Sequence, residues 1–328
     1  MNTSRAGATS VSRLGVILRP RRAAAGTDTA FPATATVPRP RDGAPGASVP
    51  GGTLAGPAPT SAWLPSAPCS PKDCVESTGS RAALPRAVLR LAVLLIVTGV
   101  GILLTPVVGR ISAAPRDRLI RAWCRTVVRA AGVRVRITGA APPTGGLLMV
   151  ANHISWLDIP LLAAVRPGRM LAKAEIRQWP VAGALTALSG ALFIERDRLR
   201  ALPDTVARIA DALRDGSAVV VFPEGSTWCG RAQGYFRRAV FQSALDAAVP
   251  VQPVHLHYRF DGGAASTAPA FVGSDSLLTS VWRVVSASDL VADVRVLPVL
   301  APGAYTDRRD LARAAQGGSD APSALPHR

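Results

Sequence analysis

The chain has 328 residues, 48% of them hydrophobic, and a mean hydropathy of +0.23; that is ample for a core and points toward membrane association. A formal net charge of +17 and a pI of 11.4 attract anionic partners: nucleic acid, anionic lipid or phosphorylated substrates. Nucleic acid is excluded as a partner, because aromatic residues are only 5% of the chain and none interleave with a basic stripe.

Part of the charge has a simpler origin. Of the 38 basic residues, only Lys72 and Lys173 are lysines and the other 36 are arginines, as a GC-rich coding bias would give. Residues 1–85 read as a disordered Pro/Ala/Arg-rich tail: Pro38-Arg39-Pro40-Arg41 and Gly51-Gly52-Thr53 bury too little surface to offset chain entropy. No short apolar core with a small-residue cleavage site marks a signal peptide there, and the composition also fits a stretch upstream of the true start. Cys69 and Cys74 sit in this region with no further ligands near them in sequence, so the four cysteines read as unpaired thiols and no metal site is expected.

Residues 86–112 form the membrane-anchoring segment. Leu91 to Gly109 is uncharged and bracketed by Arg90 and Arg110, and as a helix it spans roughly 28 Å, close to the hydrocarbon thickness. Arg110, Arg116, Arg118, Arg121, Arg125 and Arg129 follow it, against Arg81, Arg86 and Arg90 before it. That excess predicts a cell-membrane protein with its C-terminal part in the cytoplasm, if the segment spans.

From residue 113 to 305, strand-length apolar runs alternate with helical stretches. Residues 133–137, 147–151, 170–173, 192–194, 218–222, 251–256 and 294–297 read as strands. Residues 116–130, 156–164, 204–215, 237–247 and 276–286 read as helices. The alternation predicts an α/β domain with a mixed, mostly parallel sheet of about seven strands flanked by helices. Residues 306–328 read as a flexible polar tail.

Two stretches carry chemistry. Asn152-His153-Ile154-Ser155-Trp156-Leu157-Asp158 follows an apolar strand, where α/β folds collect ligands and catalytic groups. A neutral imidazole takes a proton from an alcohol, and a carboxylate on its other nitrogen fixes the tautomer. Five residues is about 140° around a helix, so the pair needs His153 in the preceding loop and Asp158 in the first turns. With four histidines such a spacing arises by chance about one time in five, so alone it is weak. The second stretch, Val219-Val220-Val221-Phe222-Pro223-Glu224-Gly225-Ser226-Thr227, ends a strand in a turn bearing a carboxylate and hydroxyls.

Together these stretches resemble the first and third conserved blocks of the glycerophospholipid acyltransferase family, which includes the 1-acylglycerol-3-phosphate acyltransferases. Lys173-Ala174-Glu175-Ile176 with Pro180 and Gly183, Gly190–Arg196 and Val249–Val254 are similar to the intervening and following blocks, in the same order. The resemblance covers roughly residues 118–300 and implies a glycerol-3-phosphate acyltransferase-like fold. It implies His153 as general base and Asp158 as its orienting partner, the pair forming the family's HX4D motif. It further implies Arg196 on the acceptor's phosphate, with Glu224 and Gly225 ordering or binding the glycerol-phosphate part. Lys173, the lysine kept in an arginine-biased chain, joins them as a substrate-binding position.

The implied partners are an acyl-CoA or acyl-carrier-protein donor, a lysophospholipid acceptor and membrane lipid, with no cofactor. Lysophosphatidate is the first acceptor and a lyso-ornithine lipid the alternative. The run Tyr235-Phe236-Arg237-Arg238-Ala239 departs from the family's Phe-Lys-x-Gly-Ala and bears on the acceptor more than on the reaction. A hydrolase using the same base, or a non-catalytic membrane binder, are the other classes. No Gly-x-Ser-x-Gly elbow provides a nucleophile of the protein's own.

Overall fold

Central strands that alternate their side chains between two covered faces read as unbroken apolar runs, and here they assemble one sheet. In the computed structural model, residues 67–76, 83–174, 190–194 and 199–317 are described, all within one compact unit, Ala33–Arg328. Elements are numbered over those residues. The strands are β1 (Arg134–Thr138), β2 (Leu147–Ala151), β3 (Arg169–Lys173), β4 (Leu192–Ile194), β5 (Ala218–Val221), β6 (Val251–Phe260) and β7 (Leu290–Val296). The helices are α1 (Pro71–Cys74), α2 (Leu84–Val108), α3 (Ala113–Ala130), α4 (Asp158–Val165), α5 (Leu202–Arg214), α6 (Phe241–Ala247), α7 (Leu277–Ser286) and α8 (Arg308–Gly317).

The seven strands lie in the order β1-β7-β6-β2-β5-β3-β4. Pairings are parallel except β6 with β7, so the sheet is mixed and mostly parallel, as the alternation predicts. β2 shows why the core has two sides. Leu147, Met149 and Ala151 point into a cluster with α3, α4 and α7, whereas Leu148 and Val150 join Ile209 and Leu213 of α5, Phe241 of α6 and Leu311 of α8. Each of the Leu, Ile, Val, Met and Phe side chains among these stabilises the fold by about 1.5–3 kcal/mol on burial.

The order also creates the crevice. From β2 the chain crosses to β3, beyond β5, whereas from β5 it returns past β2 to β6. Neighbouring strands whose connections depart in opposite directions leave an opening beyond their carboxyl ends. β2 and β5 are that pair.

α2 is the one helix among the described residues that is long and apolar enough to cross a membrane: 25 residues with a mean hydropathy of 2.6 in its best window. Leu89, Leu95, Ile96 and Leu103 are all exposed along it. Its inner side is held to the domain. Arg90 donates to the carbonyls of Val285 (3.1 Å) and Ala287 (2.6 Å), and Trp123 of α3 donates its indole N–H to the Val97 carbonyl at 3.0 Å. Gly101 faces the Trp123 ring so closely that a Cβ would overlap it.

Several boundaries differ from the sequence expectation. Residues 67–76, placed in the disordered tail, form a strap: Cys69 is buried in the core, Ser70 caps α1 by accepting from Asp73 N–H, and Glu76 N–H donates to Thr267 Oγ1. The strap also brings the Cys69 and Cys74 thiols beside that of Cys229, a neighbour distant in sequence. Within the tail expected from 306, α8 buries Leu311, Ala312 and Ala315; three apolar residues on one helical face outweigh a polar composition. β6 runs on to Phe260 and β7 starts at Leu290, because their antiparallel pairing supplies partners beyond the apolar runs. The stretch 237–247 opens with a single tight turn, Arg238–Val240, before α6. Gly216, with φ of 82°, follows the last turn of α5 in the left-handed conformation that commonly ends a helix.

Candidate active site

The register of the two central strands sets the site. Val150 of β2 lies opposite Val221 of β5, and carrying that pairing forward three residues sets His153 level with Glu224. The Glu224 carboxylate accepts the His153 backbone N–H at 2.7 Å through Oε2 and the Gly234 N–H at 3.0 Å through Oε1. Phe222, just past β5, stacks on the His153 imidazole with 3.9 Å between ring centres and planes 12° apart. Two stretches 71 residues apart in sequence thus lock one backbone and one ring.

Between β2 and α4 the loop folds around Asp158, the first residue of α4. Its Oδ2 receives the Ile154 N–H (2.6 Å), the Ser155 N–H (2.8 Å) and His153 Nδ1 (2.8 Å). Its Oδ1 receives the Tyr258 hydroxyl at 2.6 Å. Asp158 is fully buried, and four donors aimed at two oxygens is the pattern of a carboxylate, an acceptor only. A carboxylate there makes His153 Nδ1 the N–H of the ring and leaves the Nε2 lone pair open. The imidazole remains partly accessible, its side chain 20% exposed. His153 thus sits in the loop and Asp158 in the first turn, the placement the spacing demanded.

Main-chain contacts hold the loop from outside. The His153 carbonyl accepts the Trp228 N–H at 2.8 Å, and the Ile154 carbonyl accepts the Phe271 N–H at 2.9 Å. Asn152 uses its side-chain amide as a substitute peptide group, donating to the Leu256 carbonyl (2.9 Å) and accepting the Leu256 N–H (2.8 Å). Pairing with β6 therefore continues while the backbone turns away from the sheet.

Burial perturbs two groups here. It pushes the Glu224 carboxyl up to about 8, with Asp158 adding to the shift and the His153 and Gly234 N–H bonds opposing it. Burial, then the Asp158 charge and hydrogen bond, raises the Tyr258 phenol well above its ordinary value, so it remains a donor.

The remaining expected residues lie as follows. Gly225 closes the turn after β5, its N–H bonding the Phe222 carbonyl at 3.1 Å, and its φ of 76° is the left-handed conformation that favours glycine. Lys173 is exposed at the carboxyl end of β3, the same sheet end as His153. Arg196 lies outside the described residues, two positions after the end of β4. Sequence reasoning missed Tyr258 and Gly234 as parts of the site, and gave no role to Asn152 and Phe222 within the two stretches that carry chemistry. Tyr258 had a signal: at period two it falls on the same strand face as Val254 and Leu256, and a tyrosine on a buried face must find its hydroxyl a partner.

Comparison with known proteins places this constellation. The acyltransferase family profile matches residues 132–257, from the turn before β1 into β6. The chain is 40% identical over 205 residues to the lyso-ornithine lipid O-acyltransferase of Pseudomonas aeruginosa, covering 61% of this chain and 76% of that one. It is 34% identical over 194 residues to the 1-acyl-sn-glycerol-3-phosphate acyltransferase of Neisseria meningitidis, covering 59% and 76%. The crystal structure of the 1-acyl-sn-glycerophosphate acyltransferase PlsC from Thermotoga maritima shares the fold, with a TM-score of 0.54 at 17% identity over 72% of this chain and 94% of that one. The chain belongs to the lysophospholipid acyltransferase family, whose relatives include enzymes named for both acceptors.

Proposed function

We propose that the protein moves a fatty acyl group from a thioester, acyl-CoA or acyl-carrier protein, onto the free hydroxyl of a lysolipid. The observation that carries this reading is the His153–Asp158 pair, with Nδ1 tied to a buried carboxylate and the ring still accessible. Nε2 takes the proton of the acceptor hydroxyl as its oxygen attacks the thioester carbonyl. Asp158 stabilises the imidazolium, and the imidazolium proton passes to the departing thiolate as the tetrahedral intermediate collapses. The nucleophile is the substrate's own alcohol, so no acyl-enzyme forms.

Glu224 acts on this scheme through the backbone, by holding the His153 N–H, and the Gly225 turn lets it do so. Arg196 and Lys173 supply cations for the acceptor headgroup, a role supported by the family resemblance and by the sheet end at which Lys173 lies. α2 anchors the protein in the cell membrane, and the arginines that follow it support a site facing the cytoplasm. Of the two acceptors, lysophosphatidate is supported by the arginine-ending block at Gly190–Arg196. A lyso-ornithine lipid is supported by the 40% identity to an enzyme named for it.

The test is acyl transfer by membranes containing the protein, with labelled acyl-CoA and each lysolipid in turn, beside His153→Ala. The expected outcome is acceptor-dependent product, reduced about 10²–10⁴-fold in the variant. Free fatty acid released regardless of acceptor would refute the transfer and identify a hydrolase.

A further inference from the structure

Cys69, Cys74 and Cys229 take no part in the acyl-transfer site, yet their three sulfurs lie within 4.8 Å of one another. Among the described residues they are the one group of three or more His, Cys, Asp or Glu side chains with ligand atoms gathered in this way. All three are free thiols; Cys69 and Cys229 are buried and Cys74 is half-buried. The fourth cysteine, Cys124, is buried in α3 and outside the group.

The arrangement is built by specific contacts. Ser70 caps α1 and its carbonyl accepts the Cys74 N–H at 3.0 Å, so a single turn brings Cys74 back over Cys69. The strap is then fixed to two loops. Glu76 pairs with Arg231 at 2.9 Å and exchanges bonds with Thr267, and Gly273 allows the Cys69 carbonyl to approach where a Cβ would sit 3.1 Å from it. Both loops hold the catalytic turn. Cys229 follows Trp228, whose N–H bonds the His153 carbonyl, and Phe271 bonds the Ile154 carbonyl.

We propose that Cys69, Cys74 and Cys229 bind a thiophilic divalent metal, zinc in the first instance, which fastens the 67–76 strap to the loop behind His153. Four ligands at the zinc–sulfur distance of about 2.3 Å stand about 3.8 Å apart at the corners of a tetrahedron. The three sulfurs are already gathered to near that scale. An all-thiol donor set selects a soft or borderline metal over magnesium or calcium, which require oxygen ligands. Zinc displaces the three S–H protons, which pass to solvent, and forms three Zn–S bonds; water takes the fourth position on the half-open Cys74 side. No electron transfer is involved. The metal is structural, and its removal loosens the strap rather than abolishing the chemistry at His153.

The experiment uses the full-length chain in detergent, purified with reductant, stripped by chelator and refilled with zinc before desalting. Atomic emission is expected to find close to one zinc per chain in the wild type and in Cys124→Ser. Cys69→Ser and Cys74→Ala are expected to fall to background. Cys74 is half-exposed, so its alanine variant keeps the fold, checked by circular dichroism. In parallel, bound zinc is expected to slow alkylation of Cys74 by N-ethylmaleimide at least tenfold in the wild type but not in Cys69→Ser. Background zinc in the wild type, or equal zinc in wild type and Cys74→Ala, overturns the proposal. So does recovery of a disulfide between two of the three thiols after anaerobic purification.

Discussion

Replacing Asp158 by asparagine tests the centre of the mechanism while sparing its scaffold. The side-chain carbonyl of asparagine can take the place of Oδ2 and keep the N–H groups of Ile154, Ser155 and His153, while its NH2 faces the Tyr258 oxygen. The fold should therefore lose no more than about 1–2 kcal/mol. The charge, however, is gone. An imidazolium forming beside a carboxylate at this range gains about 4 kcal/mol at the effective dielectric of a protein, so its loss should cost about 10³ in kcat. Initial rates with labelled acyl-CoA and a saturating lysolipid, alongside thermal unfolding, measure both quantities. Asp158→Ala is the contrast, since it orphans buried N–H groups at about 1–3 kcal/mol each and should damage folding as well as rate. A well-folded Asp158→Asn protein working within about tenfold of wild type would refute the dyad as the source of catalysis.

Three further outcomes follow from the same contacts. Tyr258→Phe removes one donor to a carboxylate that keeps three others, so stability should fall by about 1–2 kcal/mol and kcat only several-fold; a loss as large as that of Asp158→Asn would contradict this. For Glu224, the folded chain holds a proton between about 4.5 and about 8 that the unfolded chain has released, so this group's contribution to stability declines as pH rises through that window. The urea-midpoint advantage of wild type over Glu224→Gln should accordingly shrink from pH 5 to pH 8.5, and a constant gap would argue against the shift. Gly225→Val puts a β-branched residue at φ of 76° beneath Glu224; it should destabilise by at least about 1–2 kcal/mol and depress the rate, whereas Gly225→Asn should do less.

Much of the fold could be read locally. Apolar runs and helical stretches between residues 133 and 286 fall close to the observed elements, because fully covered strands and one-sided helices leave periodic traces. The His153–Asp158 geometry was also local, five residues constrained by the pitch of a helix. What escaped depended on partners distant in sequence. Tyr258 meets Asp158 across 100 residues, and Glu76 meets Thr267 across 191. Nothing in the composition of the strap showed that Cys229 would receive it. The extra length of β6 and β7 likewise comes from their pairing, not from their own hydrophobicity. Arg196, expected at the acceptor, lies outside the described residues.

The turn from Asn152 to Asp158 draws its partners from the turn after β5, from β6 and from the loops around Trp228 and Phe271, so the His153 ring has no fixed orientation until most of the domain has assembled. Under the proposed function, reactivity is therefore a late event in the life of a newly made chain. A nascent polypeptide that has just formed β2 and α4 carries the histidine and the aspartate, but not the clamp that aims them. Such a chain would not squander thioesters on water while it is still folding. Turnover then becomes a sensitive reporter of completed assembly, and its loss should track the earliest opening of the β2–β5–β6 seam rather than the melting of any single helix.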